Sequence, residues 1–117
     1  MKIAVIGTRT IFPDNIAQYL DEDCEEIVSG GAKGVDAQAA AFAREKGIKL
    51  TEFLPDYSIY GRAAPIVRNR KIVEYADKII AFWDGKSRGT EFVIKYAEKL
   101  GKPCRVVCCD EKIKTNP

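Results

Sequence analysis

Histidine is absent from this 117-residue chain. That removes Ser-His and Cys-His nucleophile pairs and any histidine-ligated metal site, so no metal centre is expected. Chemistry, if any occurs, must use carboxylates, Arg, Lys, Tyr or the ligand's own groups. A surplus of either charge is also lacking: 19 Lys and Arg against 17 Asp and Glu leave a net charge of +2. A dedicated duplex-DNA binder carries a clear basic excess, whereas this balance leaves room only for a local patch facing a small anion. No apolar run approaches membrane-spanning length, and Met1 leads directly into an apolar strand rather than a signal peptide. Cys24, Cys104, Cys108 and Cys109 form neither a C-x-x-C pair nor a zinc spacing, which points to free thiols in a reducing cytoplasm. Walker A spacing is missing as well.

What the chain does have is a regular alternation of apolar and helical segments, long enough for one domain with a proper core. Strands are expected over 2–6, 26–29, 49–53, 78–83 and 104–109, with helices over 13–20, 35–46, 64–75 and 90–100. Ile3-Ala4-Val5-Ile6 and Ile79-Ile80-Ala81-Phe82 are nearly continuous apolar runs, as parallel strands covered on both faces require. Pro13 and Pro65 suit first helical turns, and Gly47 and Gly101 suit helix ends. The pattern predicts an α/β fold: a single-domain Rossmann-like three-layer sandwich with a five-stranded, mainly parallel sheet in order 3-2-1-4-5. The domain should cover 1–110, followed by a polar C-terminal tail over 111–117. The longest irregular piece, 54–62, has the length of a binding loop.

In such a sheet, ligands bind beyond the carboxyl ends of the strands, at the switch point. Four segments should meet there. The first is Gly7-Thr8-Arg9-Thr10. The second is Ser29-Gly30-Gly31-Ala32-Lys33-Gly34-Val35-Asp36, a glycine-rich turn between a strand and a helix that resembles a phosphate cradle. The dinucleotide fingerprint G-x-G-x-x-G would need glycines at 29, 31 and 34, and position 29 is serine. The third is the 54–62 loop, and the fourth is Asp84-Gly85-Lys86-Ser87-Arg88-Gly89-Thr90. Arg9 offers a bidentate phosphate clamp and Lys33 a mobile charge. Ser87 either caps the fourth helix or donates to a phosphate oxygen. Asp84 either accepts ribose hydroxyls or caps the turn behind it, two readings of equal standing. Arg68-Asn69-Arg70-Lys71 reads first as a solvated basic face, but Asn69 inside a helix suggests a polar contact. Phe82 reads as core; Trp83 fits core packing or base stacking.

These segments, with Gly61-Arg62-Ala63-Ala64 and Trp83, resemble the SLOG superfamily, the Rossmann-like group of the Smf/DprA and lonely-guy (LOG) proteins. The likeness is nearest to its small single-domain YspA-related branch of bacteria and phages, and the motifs occur in order along nearly the whole chain. The resemblance implies a nucleotide or nucleotide-derived phosphorylated ligand, ADP-ribose-like, bound as by a sensor. The residues carried over are Gly7, Thr8, Arg9, Ser29, Gly30, Gly31, Ala32, Lys33, Gly34, Asp36, Arg68, Asn69, Asp84, Gly85, Ser87, Gly89 and Thr90. No cofactor beyond that nucleotide is implied. A LOG-type hydrolase of N-glycosidic or phosphate linkages is the alternative. In those enzymes a P-G-G-x-G-T-x-x-E motif supplies the glutamate, and aligning Gly89-Thr90 with its G-T places Val93 at that position. Asp84 and Glu91 are then the candidate catalytic carboxylates, with Glu91 about 200° around the helix from Val93. Close relatives read Ala-Ala-Gly-Pro-Ile-Arg-Asn where this chain has Ala63-Ala64-Pro65-Ile66-Val67-Arg68-Asn69. Single-stranded DNA binding in the manner of Smf/DprA ranks third, because the net charge is near zero. A homodimer stays open, and no membrane partner is expected.

Overall fold

In the computed structural model, which describes residues 1–8, 13, 15–31 and 34–108, the apolar runs form five parallel strands. They are β1 (Lys2–Gly7), β2 (Glu26–Ser29), β3 (Lys49–Glu52), β4 (Lys78–Trp83) and β5 (Cys104–Cys108). The order is β3-β2-β1-β4-β5, so β1 and β4 lie at the centre and all pairings are parallel. The four helices are α1 (Val35–Lys46), α2 (Tyr57–Tyr60), α3 (Ala64–Tyr75) and α4 (Arg88–Lys99).

Alternation along the strands sorts the core into two layers. Ile3, Val5, Ile27, Ile80 and Phe82 point to the face covered by Val35, Ala39 and Ala43 of α1 and by Ile16. Ala4, Ile6, Val28, Ile79 and Ala81 point to the opposite face, against Ile72 and Val73 of α3 and Val93 and Ala97 of α4. Helices on both faces of a parallel sheet make the three-layer, Rossmann-like arrangement expected from the sequence. No helix among the described residues is long and apolar enough to cross a membrane. Cys24, Cys104 and Cys108 are free thiols. Cys109 and the expected tail over 111–117 lie outside the described residues.

Two expectations need correction. The helix expected over 13–20 is a single 3-10 turn, Ile16–Tyr19, among the residues described there. Asn15 Oδ1 accepts the Ala17 N–H at 3.1 Å, and by Leu20 the backbone is already extended. The turn is followed at once by Asp21, Glu22 and Asp23, whose charges oppose the negative end of a helix. The 54–62 loop is also more ordered than expected. It contains α2, begun by Asp56, whose carboxylate accepts from the Ser58 and Ile59 N–H groups, and then a 3-10 turn, Gly61–Ala63. Smaller shifts fall at element ends: β1 gains Gly7, β3 stops one residue early, and α4 runs from Arg88 to Lys99.

At the amino ends of the strands, Glu26 is almost completely buried, and its Oε2 accepts from Thr51 Oγ1 at 2.7 Å and Tyr75 OH at 2.6 Å. Burial alone would raise this carboxyl; the two hydrogen bonds, with Lys49 and Lys2 nearby, outweigh it and hold Glu26 below the usual carboxylate range. Asp77 is lowered too, mainly by accepting the Lys2 N–H. A carboxyl lowered on folding stabilises the fold at neutral pH and loses that contribution as pH falls through the carboxylate range. Urea unfolding should therefore show Glu26→Gln about 1–2 kcal/mol less stable than wild type at pH 7. The difference should begin to shrink as pH falls through about 4.3, the ordinary glutamate value of the unfolded chain, and should close only at lower pH, where folded Glu26 also takes up a proton.

Candidate functional site

The chain leaves β1 towards β2 on one side, while β4 pairs with β1 on the other, so the carboxyl ends of β1 and β4 border the switch point. On the α3–α4 face of this end lies a cleft of about 250 Å³. Its floor is apolar, made by Ile6, Ile72 and Val93, and Gly7 continues it along β1. One wall is Gly30 and Asp36, a second is Pro65, Arg68 and Asn69 from α3, and the third is Ser87, Gly89 and Thr90 from α4.

Gly30 is clasped from both sides of its peptides. Its N–H donates to Asp36 Oδ2 at 3.1 Å, and its carbonyl accepts from Arg68 Nη1 at 2.7 Å. A Cβ at position 30 would lie 2.7 Å from Arg68 Nη1 and 3.1 Å from Asp36 Oδ2, so the clasp needs glycine. Arg68 Nε also donates to Asn69 Oδ1 at 2.8 Å, which explains the asparagine inside α3: it fixes the guanidinium plane. Asp36, 5% exposed, is the only acidic residue in the first turn of α1. A carboxylate of the protein thus meets the glycine-rich turn at the start of α1, where the positive end of the helix favours it. Ser29 is fully buried, and its Oγ accepts the Gly31 N–H at 3.1 Å. The serine in the incomplete fingerprint tightens the turn from within.

The opposite wall is built differently. No side chain caps α4: Ser87 holds the N-cap position, but its hydroxyl turns to Thr90 Oγ1 at 3.4 Å. Gly89 and Thr90 therefore bring an uncapped helix start, with its partial positive charge, to the cleft. The loop leading there is held by Asp84, whose Oδ1 accepts the Lys86 and Ser87 N–H groups, each at 2.8 Å. Those two bonds keep the Asp84 carboxyl below its ordinary range. Thr8 lies near enough to add to this lowering, yet its buried hydroxyl makes no hydrogen bond of ordinary length. Trp83 Nε1 donates to the Ser87 carbonyl at 2.9 Å, so the indole anchors the loop.

Of the residues singled out from the sequence, Gly7, Gly30, Asp36, Arg68, Asn69, Ser87, Gly89 and Thr90 come together around the cleft. Thr8, Ser29, Gly31, Gly34, Asp84 and Gly85 stand behind its walls and shape the turns. Arg9, Ala32 and Lys33 lie outside the described residues. Glu91 is not at the cleft; its carboxylate pairs with Lys95 at 3.7 Å along α4. The apolar floor went unnoticed in the sequence, apart from Val93, whose alignment with a family glutamate was the available signal.

Comparison with known proteins finds the Gene 61 protein of Mycobacterium phage D29, 36% identical to this chain over 83 residues. The match covers 66% of this chain, and the chain spans 66% of that relative's length. No protein-family model matches the chain, and no solved structure matches it at a significant level.

Proposed function

We propose that this chain is a nucleotide-binding module of SLOG type that takes a phosphorylated, ADP-ribose-like ribonucleotide in the cytoplasm of a bacterium or phage-infected cell. The observation that carries this reading is the uncapped start of α4, with Ser87, Gly89 and Thr90, facing Arg68 and Asn69 across a cleft at the switch point. A helix start of this kind receives a phosphate through backbone N–H groups, and the hydroxyls of Ser87 and Thr90 are beside it. The Asn69 amide offers a donor to the rest of the ligand.

Binding is favoured over hydrolysis by the composition of the cleft. Val93 stands on the floor where a hydrolase of the LOG type places its glutamate, and Glu91 is engaged with Lys95. Asp84 organises the loop through Oδ1. Asp36 is the remaining carboxylate at the cleft among the described residues, and it holds the Gly30 N–H.

Gly89 provides a clean test. Its φ is not positive, and a Cβ there would meet only Asn69 Nδ2, at 3.8 Å across the cleft. Gly89→Ala should leave urea stability unchanged or raise it slightly, since alanine suits a helix better than glycine. Calorimetry against a panel of nucleoside phosphates and ADP-ribose should find a ligand for wild type and about tenfold weaker binding for Gly89→Ala. Silence of the wild-type protein across the panel would defeat the reading, as would base or phosphate release from a bound nucleotide.

A further inference from the structure

An asparagine side chain carries a donor and an acceptor on one flat amide, and a ligand meets whichever of them faces it. In α3 that choice is made by Arg68. A guanidinium has donors only, so the atom that meets Arg68 Nε at 2.8 Å must be the amide oxygen of Asn69. Asn69 Nδ2 then points the other way, into the cleft that the residue lines. Gly89 on the facing wall marks its direction: a Cβ there would meet Asn69 Nδ2 at 3.8 Å and no other side chain within 4 Å. Asn69 Nδ2 has no hydrogen-bond partner among the described residues. Arg68 is itself held in place, since its Nη1 donates to the Gly30 carbonyl at 2.7 Å. The guanidinium is fixed at Gly30 and fixes Asn69 in turn.

The wall opposite also presents hydrogens. The first bond inside α4 runs from the Glu91 N–H to the Ser87 carbonyl at 3.1 Å, so the N–H groups of Arg88, Gly89 and Thr90 precede the helical ladder. Lys86 and Arg88, both exposed, stand at this positive end, where a helix by itself favours acidic residues. Glu91, the one acidic residue of the first turn, pairs with Lys95. The carboxylate that lines the cleft, Asp36, is on the other wall with Gly30, whose N–H it accepts. Between Asn69 and the start of α4, an oxygen without a hydrogen is therefore welcome, and an N–H group would meet the Asn69 hydrogens head on. We propose that Asn69 is a specificity-determining residue, selecting a ligand with an acceptor oxygen beside its phosphate, and that Arg68 is the positioning residue that sets the polarity of Asn69. The inference rests on the nucleotide-binding reading of the cleft. The ester and ring oxygens of a phosphorylated sugar meet this requirement, whereas the backbone N–H of a phosphorylated peptide does not.

Two substitutions separate the donor from the other properties of Asn69. Asn69→Asp keeps an oxygen for Arg68 Nε and makes that bond charge-assisted, so urea stability should hold or rise. Its second oxygen replaces the donor, and calorimetry with AMP, ADP and ADP-ribose should show binding about 100-fold weaker than wild type. Asn69→Leu is neutral and gives Arg68 no acceptor, so stability should fall and binding should weaken about tenfold. Were Asn69 needed only to hold Arg68, Asn69→Asp would bind like wild type; were charge alone at work, Asn69→Leu would. Loss of the donor is common to both variants, so either of those results would overturn the proposal while leaving the nucleotide reading intact. The lock itself is read without ligand, by NMR. The Arg68 Nε–H should exchange slowly in wild type and Asn69→Asp, and fast in Asn69→Leu. Fast exchange in wild type would overturn the proposal whatever binds. Silence of wild type towards all three nucleotides, with the Nε–H protected, would remove the nucleotide reading and this inference with it.

Discussion

Gly7→Ala is expected to lower the free energy of unfolding by about 3 kcal/mol, the upper end of what one methyl group costs in an overpacked core. The cause is contact, not conformation, since the φ of Gly7 is not positive. An added Cβ would lie 2.7 Å from Val35 Cγ2, 2.8 Å from the Phe82 carbonyl oxygen and 3.0 Å from Phe82 Cβ. Two of these atoms belong to Phe82 in the central strand β4, fully buried and packed edge-on against Tyr19 with ring centroids 5.1 Å apart. The carbonyl cannot turn aside, because it accepts the Thr8 N–H at 3.0 Å. Relief must come from separating β1 from β4 or α1 from the sheet. A domain of this size is stable by roughly 5–15 kcal/mol, so the variant should unfold at a clearly lower urea concentration. A loss under about 1 kcal/mol would mean that the switch point tolerates a wider spacing than the distances imply.

Arg68→Met is expected to cost about 2 kcal/mol of stability and to weaken ligand binding together with it. The substitution keeps the apolar stem but removes the donor to the Gly30 carbonyl, leaving that acceptor without its charged partner. Asp36→Ala removes the acceptor of the Gly30 N–H and should cost a similar amount. The two groups grip the same residue, so the double variant should lose less than the sum, by about 1 kcal/mol. Arg68→Lys should not rescue, because one ammonium cannot reproduce the planar grip on Gly30 and Asn69 together. Strict additivity in urea unfolding would show that the turn after β2 is held by other contacts.

The contrast between these residues explains what could be read from the sequence. The central strands were legible because Ile3–Ile6 and Ile79–Phe82 must be apolar on both faces to sit inside a parallel sheet. Helix α1 was legible between Gly34 and Gly47, and α3 from Pro65 at its start. The segment over 13–20 misled because a proline and an apolar pattern suggested a helix, whereas the turn is stopped by local capping at Asn15 and by the acidic run after it. A one-turn helix such as α2 is shorter than the period that reveals helices, and only Asp56 hinted at it. The site was legible as a set of loops, since glycine and small polar residues mark strand ends. Which of them would face the cleft was not. Ser29 looks like a ligand contact until the fold shows it fully buried, with its Oγ holding the Gly31 N–H. The floor of Ile6, Ile72 and Val93 is written in the same letters as core and becomes visible only in three dimensions.

Lys102 gives the cleft a mechanical property. Its Nζ donates to the carbonyls of Val73, Glu74 and Ala76, at 2.7, 2.6 and 2.7 Å, and Tyr96 OH donates to Glu74 Oε2 at 2.6 Å. These bonds tie the carboxyl end of α3 to the carboxyl end of α4 and the turn just after it, whereas the cleft opens between the amino ends of the two helices. The two helices are tied to each other at the extremity away from the cleft. Each is 12 residues long, or about 18 Å, so a tilt of about 5° at the tied end carries the mouth through roughly 1.5 Å. A tilt of that size would change the width of the cleft without breaking the bonds at its far end.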